Sequence, residues 1–269
     1  MAIENFKPTI WKARLLANLR KNHVFAQVCN NEYSGDIASF GDTVKIGSIG
    51  AIDVNDYDGS EISYEELEDA STKLTVDQQK YFAFKVSDID EAQSNANEMD
   101  EAMDEASHAL NDEADQYIAG MNTDAGVSVD STDVTGDPFS TDDCYETFAV
   151  IKEKLMENNV PANFPLWAVV DPGSYKNILI DEIDTSTDNV STMGQGAVTA
   201  TMGFDLFVSN NLPADRCMSG TYRAIGFAEQ ILQTEALRLE GYFEDAVRGL
   251  YVYGAKVIRN DELVDIDIS

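Results

Sequence analysis

Between Lys85 and Lys152 the chain has no lysine or arginine, while eighteen of the sixty-six intervening residues are Asp or Glu. Through the first half of that stretch the apolar residues keep helical time. Ile89, Ala92, Ala96, Met99, Met103, Ala106, Leu110, Ala114, Tyr117 and Met121 follow one another in steps of three and four. Such steps place one apolar stripe along a helix, whereas an unfolded acidic tail has none. The spacing predicts a rigid helix from near Asp88 to Ala119–Gly120, about 45 Å long at 1.5 Å per residue. One face packs and the rest is coated with carboxylates. Asp100/Asp104 and Glu101/Glu105 are like-charge i,i+4 pairs, each costing roughly 0.2–0.5 kcal/mol. Packing or basic neighbours must offset that cost. A strut of this kind suits architecture better than catalysis.

The acidity extends to the whole chain, whose formal charge is −31 with a pI near 4.1. That excludes a general nucleic-acid binder, which needs clustered Lys and Arg for phosphates. It favours solubility, or a high-salt habitat in which self-repulsion is screened. The cations are unevenly placed: Lys7, Lys12, Arg14, Arg20 and Lys21 face a single Glu in the first twenty-one residues. Either this arm contacts the negative body of a neighbouring copy or it is an ordinary amphipathic first helix. Charge alone does not choose. With 269 residues, 43% of them hydrophobic, the chain can bury a core as one large domain or two modest ones.

The segment Thr9–Cys29 reads as helical, with Trp11, Leu15, Leu16 and Leu19 on one side. From Thr43 the apolar period becomes two. Thr43–Val54 and Leu74–Val86 read as strands joined by polar Asn55–Ser71, a long β-hairpin that needs a surface to lie on. Beyond the acidic helix, Asp124–Asp137 is β-flavoured and Thr141–Asn158 and Ser174–Asp181 read as helices. Leu166–Val170, Phe204–Ser209, Thr221–Glu229 and Tyr251–Arg259 read as strands, Thr185–Thr201 as a mobile loop, and a tail begins at Asp261–Leu263.

No catalytic constellation emerges. His23 and His108 stand 85 positions apart without ligand-spaced companions, and GxSxG, P-loop and HExxH patterns are absent. Gly194-Gln195-Gly196 lacks the third glycine and preceding strand of a dinucleotide site. Val54–Gly59 with Glu65 fits part of a calcium-loop frame, but Val54 supplies no side-chain oxygen where the first ligand belongs. A solvated hairpin tip is expected there, and no metal or cofactor. Cys29, Cys144 and Cys217, odd in number and widely spaced, are expected to be free thiols. No apolar run approaches the eighteen residues that span a bilayer, and no signal-peptide core is present. The expectation is a soluble chain made in the cytoplasm, without a membrane partner.

The order of these elements resembles the major capsid proteins of tailed phages of the Hong Kong 97 type, more narrowly their coat-protein-like branch. The resemblance is carried by Thr9–Val28, Gly41–Val44, Leu74–Gln93, Val169–Tyr175 (VVDPGSY), Gly203–Pro213 (GFDLFVSNNLP) and Phe243–Arg259 (FEDAVRGLYVYGAKVIR). It implies an α+β fold with four parts. Residues 1–40 are an N-terminal arm and 41–87 an extended hairpin loop. Residues 88–140 and 232–269 form a peripheral domain with the spine helix, and 141–231 an axial domain. It further implies a non-enzymatic shell subunit of hexamers and pentamers around double-stranded DNA, without sequence-specific binding. Trp11, Leu15 and Leu19 would anchor the arm, while Tyr81, Phe82 and Phe84 would make subunit contacts at the hairpin base. Phe243, Val247, Leu250 and Val252 would build the core against the spine helix. Some relatives carry a built-in scaffold ahead of the arm. The hairpin here begins near residue 41, so either the numbering starts after processing or, as Met1 favours, a separate scaffolding protein guides assembly, and a portal is expected. Lys45, Lys73 and Lys80 occupy the hairpin, where the type member crosslinks; no crosslink is expected. The rivals are an encapsulin-type compartment shell and an acidic calcium-binding surface protein.

Overall fold

A computed structural model of the chain describes residues 24–32, 41–49, 69–87, 98–140, 144–185, 200–238 and 244–268. Residues 9–23, the hairpin tip with its calcium-like frame, residues 88–97 and the loop 186–199 lie outside the described residues.

The acidic helix is present as α2 (Glu98–Ala119), after the short turn α1 (Phe25–Val28). It holds neither Gly nor Pro and stops where Gly120 opens a tighter 3-10 turn, Gly120–Asp124. Its buried face runs Met103, Ser107, Leu110, Asn111, Ala114, Asp115 and Ile118. That stripe is rotated from the predicted one. Ala106 and Tyr117 sit at its flank, while Ser107, Asn111 and Asp115 lie inside it. Apolar counting cannot place polar residues that are buried to hold backbone.

Two sheets flank α2. The first is antiparallel, β3 (Gln78–Ser87), β10 (Glu244–Val257) and β9 (Ile225–Arg238), with β10 in the centre. Phe82 lies opposite Gly249, and a Cβ on that glycine would collide with the Phe82 ring, so the aromatic fills the space the glycine leaves. A register shift at Leu250/Tyr251 sets the later residues of β10. Beyond it Tyr251 and Tyr253 face the α2 core, and Val252 faces the hairpin.

The second sheet has the order β4 (Val127–Val129), β11 (Leu263–Asp267), β8 (Arg216–Thr221), β5 (Leu166–Val170), β7 (Phe204–Val208), β6 (Ala200–Thr201). The β4–β11 and β5–β7 pairs are parallel. Trp167, Val169, Met218 and Leu263 join the core under α2. Leu166, Ala168, Val170, Cys217 and Ile266 turn the other way, onto α3 (Cys144–Glu157) and α4 (Pro172–Thr185). The Asp-Pro-Gly-Ser turn explains where α4 starts. Asp171 accepts from the backbone N–H of Gly173 at 2.8 Å and of Ser174 at 3.0 Å, with Pro172 at the first helical position.

Three expectations change. The strand expected over Leu74–Val86 breaks at Val76–Asp77: β2 (Asp69–Thr75) pairs with β1 (Thr43–Ile49), while β3 belongs to the sheet under α2. Tyr81, Phe82 and Phe84 therefore lie in the body of the molecule, one strand beyond the hairpin. The strand expected over Thr221–Glu229 straddles a turn between β8 and β9. The expected tail is β11, a strand buried between β4 and β8. Val264, Ile266 and Ile268 alternate with Asp265 and Asp267, so β11 carries a strand pattern of its own, and the strand expected from Tyr251 reaches back to Glu244 in β10. β9 also crosses position 231, and β4 and β11 pair within the axial-side sheet, so the two units share strands across the expected boundary.

Candidate subunit interface

The first part of the site is the place where the N-terminal segment enters the body. Both carboxylate oxygens of buried Asp115 accept backbone N–H groups, Val24 at 3.1 Å and Phe25 at 3.2 Å. Phe25 and Val28 are completely buried in the α2 core. Asn30 then exchanges backbone bonds with β9, donating to Ile225 at 2.8 Å and accepting from Phe227 at 2.9 Å. Residues 24–30 are thus bolted to their own chain, and they set the point from which residues 1–23 depart. Charge-assisted bonds of this kind are the strong class.

The second part is the hairpin base. Val44, Ile46, Leu74 and Val76 pack onto Ala228 and Val252, so the base of β1–β2 rests on its own β9 and β10. The surface that the hairpin was expected to need is supplied, for this base, by its own chain. Gly254 permits the approach: a Cβ there would strike the Thr75 carbonyl oxygen and lie 2.8 Å from the Val76 Cα. The bend is tied to α2 by two further links. Tyr117 donates its hydroxyl to Asp77 at 3.0 Å, and Lys80 pairs with Glu113 at 2.6 Å. Burial, and then the Asp77 bond, push the Tyr117 hydroxyl up to about 12, so it remains a donor.

The third part is what these anchors leave outside. Phe82 and Phe84 stack at 6.2 Å and pack half-buried against the α2 core. Tyr81, next to Phe82 along β3, is 77% exposed on the opposite sheet face. Leu250 lies across from Tyr81 and, with Ala83, Gly249 and the Arg248–Glu235 pair, lines a hollow of about 440 Å³. The arrangement divides the expected core set. Val247 and Val252 are buried, Leu250 turns outward, and Phe243 lies outside the described residues, as do Trp11, Leu15 and Leu19. On the hairpin, Lys45 and Lys73 are exposed and directly opposite each other. Their repulsion costs about 1 kcal/mol or less in water.

Sequence reasoning missed Asp115, the Tyr117–Asp77 link and the lysine opposition. Asp115 had a usable signal, since Ser107, Asn111 and Asp115 continue in steps of four from Met103 along the packed face. The other two depend on strand register and on a bend that no local pattern encodes.

Nothing in the described residues resembles an activated catalytic group. Cys217 lies 3.8 Å from both Asp171 and Ser174, but it is completely buried and burial pushes its thiol up to about 12. All three cysteines are free, as expected, and all three are buried. Among the described residues there is no metal-binding group of acids, His and Cys, and no helix long and apolar enough to cross a membrane.

A long acidic helix clamped between two sheets, with a hairpin and an arm held at fixed exits, defines a shell-forming protein of the Hong Kong 97-type fold. The chain belongs to the phage capsid protein family, which it matches over residues 71–265. It is a major capsid protein, a structural component of the virion. A chain from Mycobacterium phage Che8 superposes with a TM-score of 0.76 at 28% identity, covering 99% of this chain and 94% of that one. The capsid structure of Cyanophage P-SCSP1u gives 0.74 at 15% identity, covering 92% and 88%. A virus-like particle from Pyrococcus furiosus gives 0.61 at 11% identity, covering 97% and 99%. No curated protein sequence matches the chain significantly.

Proposed function

We propose that this capsid subunit closes with copies of itself into an icosahedral shell of hexamers and pentamers around double-stranded phage DNA. In this reading residues 1–40 clasp a neighbour, 41–87 overlap the adjacent subunit, and 141–231 surround the five- and six-fold axes. Residues 88–140 and 232–269 form the peripheral wall. Heterologous contacts that close around an axis accumulate many modest interactions into a stable shell. The wall's acidity offers few phosphate partners, so packed DNA does not stick to it. Assembly takes place in the host cytoplasm with a separate scaffolding protein and a portal.

The observation that carries the reading is the pair of fixed exits. Asp115 and Asn30 hold the start of the arm, and Gly254, Asp77 and Tyr117 hold the base of the hairpin. These anchors fix the points at which the arm and the hairpin join the body, an arrangement of use to a molecule that reaches for neighbours. Trp11, Leu15 and Leu19 serve as arm anchors. Tyr81 is the outward contact residue, seated by Phe82 and Phe84.

Negative-stain microscopy of the purified protein, with its scaffolding protein where required, is expected to show closed icosahedral particles. Particles carrying a protein cargo and no nucleic acid, read from the 260/280 nm absorbance ratio, would move the reading to a cargo compartment. A compact monomer under every assembly condition would end it. Deleting residues 1–22 keeps the Asp115 clamp, so folded subunits with parent-like circular dichroism but no closed shells are expected. Tyr81→Ser removes an exposed ring, so the subunit's melting temperature should stay within about 2 °C of the parent, since surface changes fall within ~0.5 kcal/mol. Shell yield should fall sharply; unchanged yield would remove Tyr81 from the contact set.

A further inference from the structure

We infer that the hairpin grips the neighbouring copy through a cation pair, Lys45 and Lys73, whose partner is the carboxylate ridge of that copy's α2. The inference rests on the assembly reading above and deepens it by naming the two surfaces that meet.

Register decides the first surface. Lys45 pairs directly with Lys73 across β1 and β2, and both side chains are exposed. Their neighbours Ile46 and Leu74 are buried against Ala228 and Val252, which fixes the lysine face outward. Among the described residues neither lysine has a carboxylate or hydrogen-bond partner. The chain has 18 cations against 49 acids, so abundant acids are available to neutralise a lone lysine, yet here two cations face each other. Like charges directly opposite destabilise a strand pair in isolation. The arrangement gains its value when an anionic surface comes down on both.

A second copy supplies that surface. From Glu98 to Ala119, α2 contains no Lys or Arg, and its solvent side exposes Asp104, Glu105, Asp112 and Glu113. Glu105 and Asp112 are seven positions apart, two turns on one face, making a ridge about 10 Å long at 1.5 Å per residue. Two long lysine side chains leaving one point of a hairpin can reach both ends of such a ridge. Docking gives the opposed lysines counter-ions, and it gives a lysine each to Glu105 and to Asp112, which beside it keeps its bond from the Asn211 amide. A nucleic-acid phosphate is the less favoured occupant, because the acidic body around the pair repels a polyanion.

The test uses the full chain and reads folding and assembly separately. The Lys45→Ala/Lys73→Ala variant should melt at or above the parent temperature, because a repulsion has been removed. It should need at least tenfold more protein to form shells. Lys45→Glu/Lys73→Glu should form none, and adding Glu105→Lys/Asp112→Lys to that variant should restore shells. The inference is overturned if the alanine variant assembles at the parent's concentration. It is equally overturned if the charge swap fails although both two-residue variants keep the parent's melting temperature. It also falls if the alanine variant assembles normally and loses retention of duplex DNA, which would make phosphate the partner. A parent chain that never forms shells brings down the assembly reading itself, and this inference with it.

Discussion

Replacing Asp115 with alanine is expected to lower the subunit's melting temperature by roughly 6–12 °C, corresponding to a loss of about 3 kcal/mol. The carboxylate is buried and holds the backbone N–H groups of Val24 and Phe25. Its removal leaves two donors without acceptors in a site where water does not replace them. Phe25 and Val28 then lose the constraint that keeps them in the core under α2. Asp115→Asn retains one acceptor oxygen and presents an amide group to the second donor, so a loss of about half that size is expected. Thermal unfolding of the three proteins at neutral pH provides the measurement. A melting temperature for the alanine variant within 2 °C of the parent would show that the clamp contributes little. The effect on assembly should exceed the effect on folding, because the clamp also sets where residues 1–23 leave the body.

Gly254→Ala is expected to destabilise by about 2–3 kcal/mol, at the upper end of overpacking costs, and to abolish shell closure. The obstacle to a Cβ is backbone, the Thr75 carbonyl and the Val76 Cα, and backbone in a paired strand cannot rotate away. Relief comes by lifting the hairpin base off β10, which exposes Ile46, Leu74 and Val76. Gly249 provides the internal control, since the obstacle there is the Phe82 ring, a side chain that can tilt. Gly249→Ala should therefore cost less than Gly254→Ala by at least about 1 kcal/mol. Urea denaturation of both variants compares them directly, and equal losses would contradict the account of the hairpin seat.

The acidic helix was legible to its last residue because a long amphipathic pattern ends at a glycine, a local signal. Leu166–Val170 was equally plain, an apolar run bounded by polar residues and a Pro-Gly turn. The hairpin and its exposed tyrosine were harder. The alternation of Leu74, Val76, Phe82, Phe84 and Val86 runs through a bend without changing period, so one strand was expected where there are two. The second half of β10 reads as strand, but Glu244–Leu250 carries Glu244, Asp245, Arg248 and Gly249, and it is strand because β3 and β9 pair with it on either side.

Asp115 was passed over as one more surface acid on an acidic helix, since composition does not tell a buried carboxylate from a solvated one.

Sequence alone determined that the chain builds a long carboxylate-coated helix, strands on either side of it, and a hairpin ahead of it. Those features follow from periodicity, which is a property of near neighbours along the chain. Tertiary structure decided which acid is buried, where the hairpin ends and the sheet begins, and that Lys45 stands across from Lys73. These outcomes depend on register and on contacts between residues tens of positions apart, and such contacts form when packing brings the separate elements together.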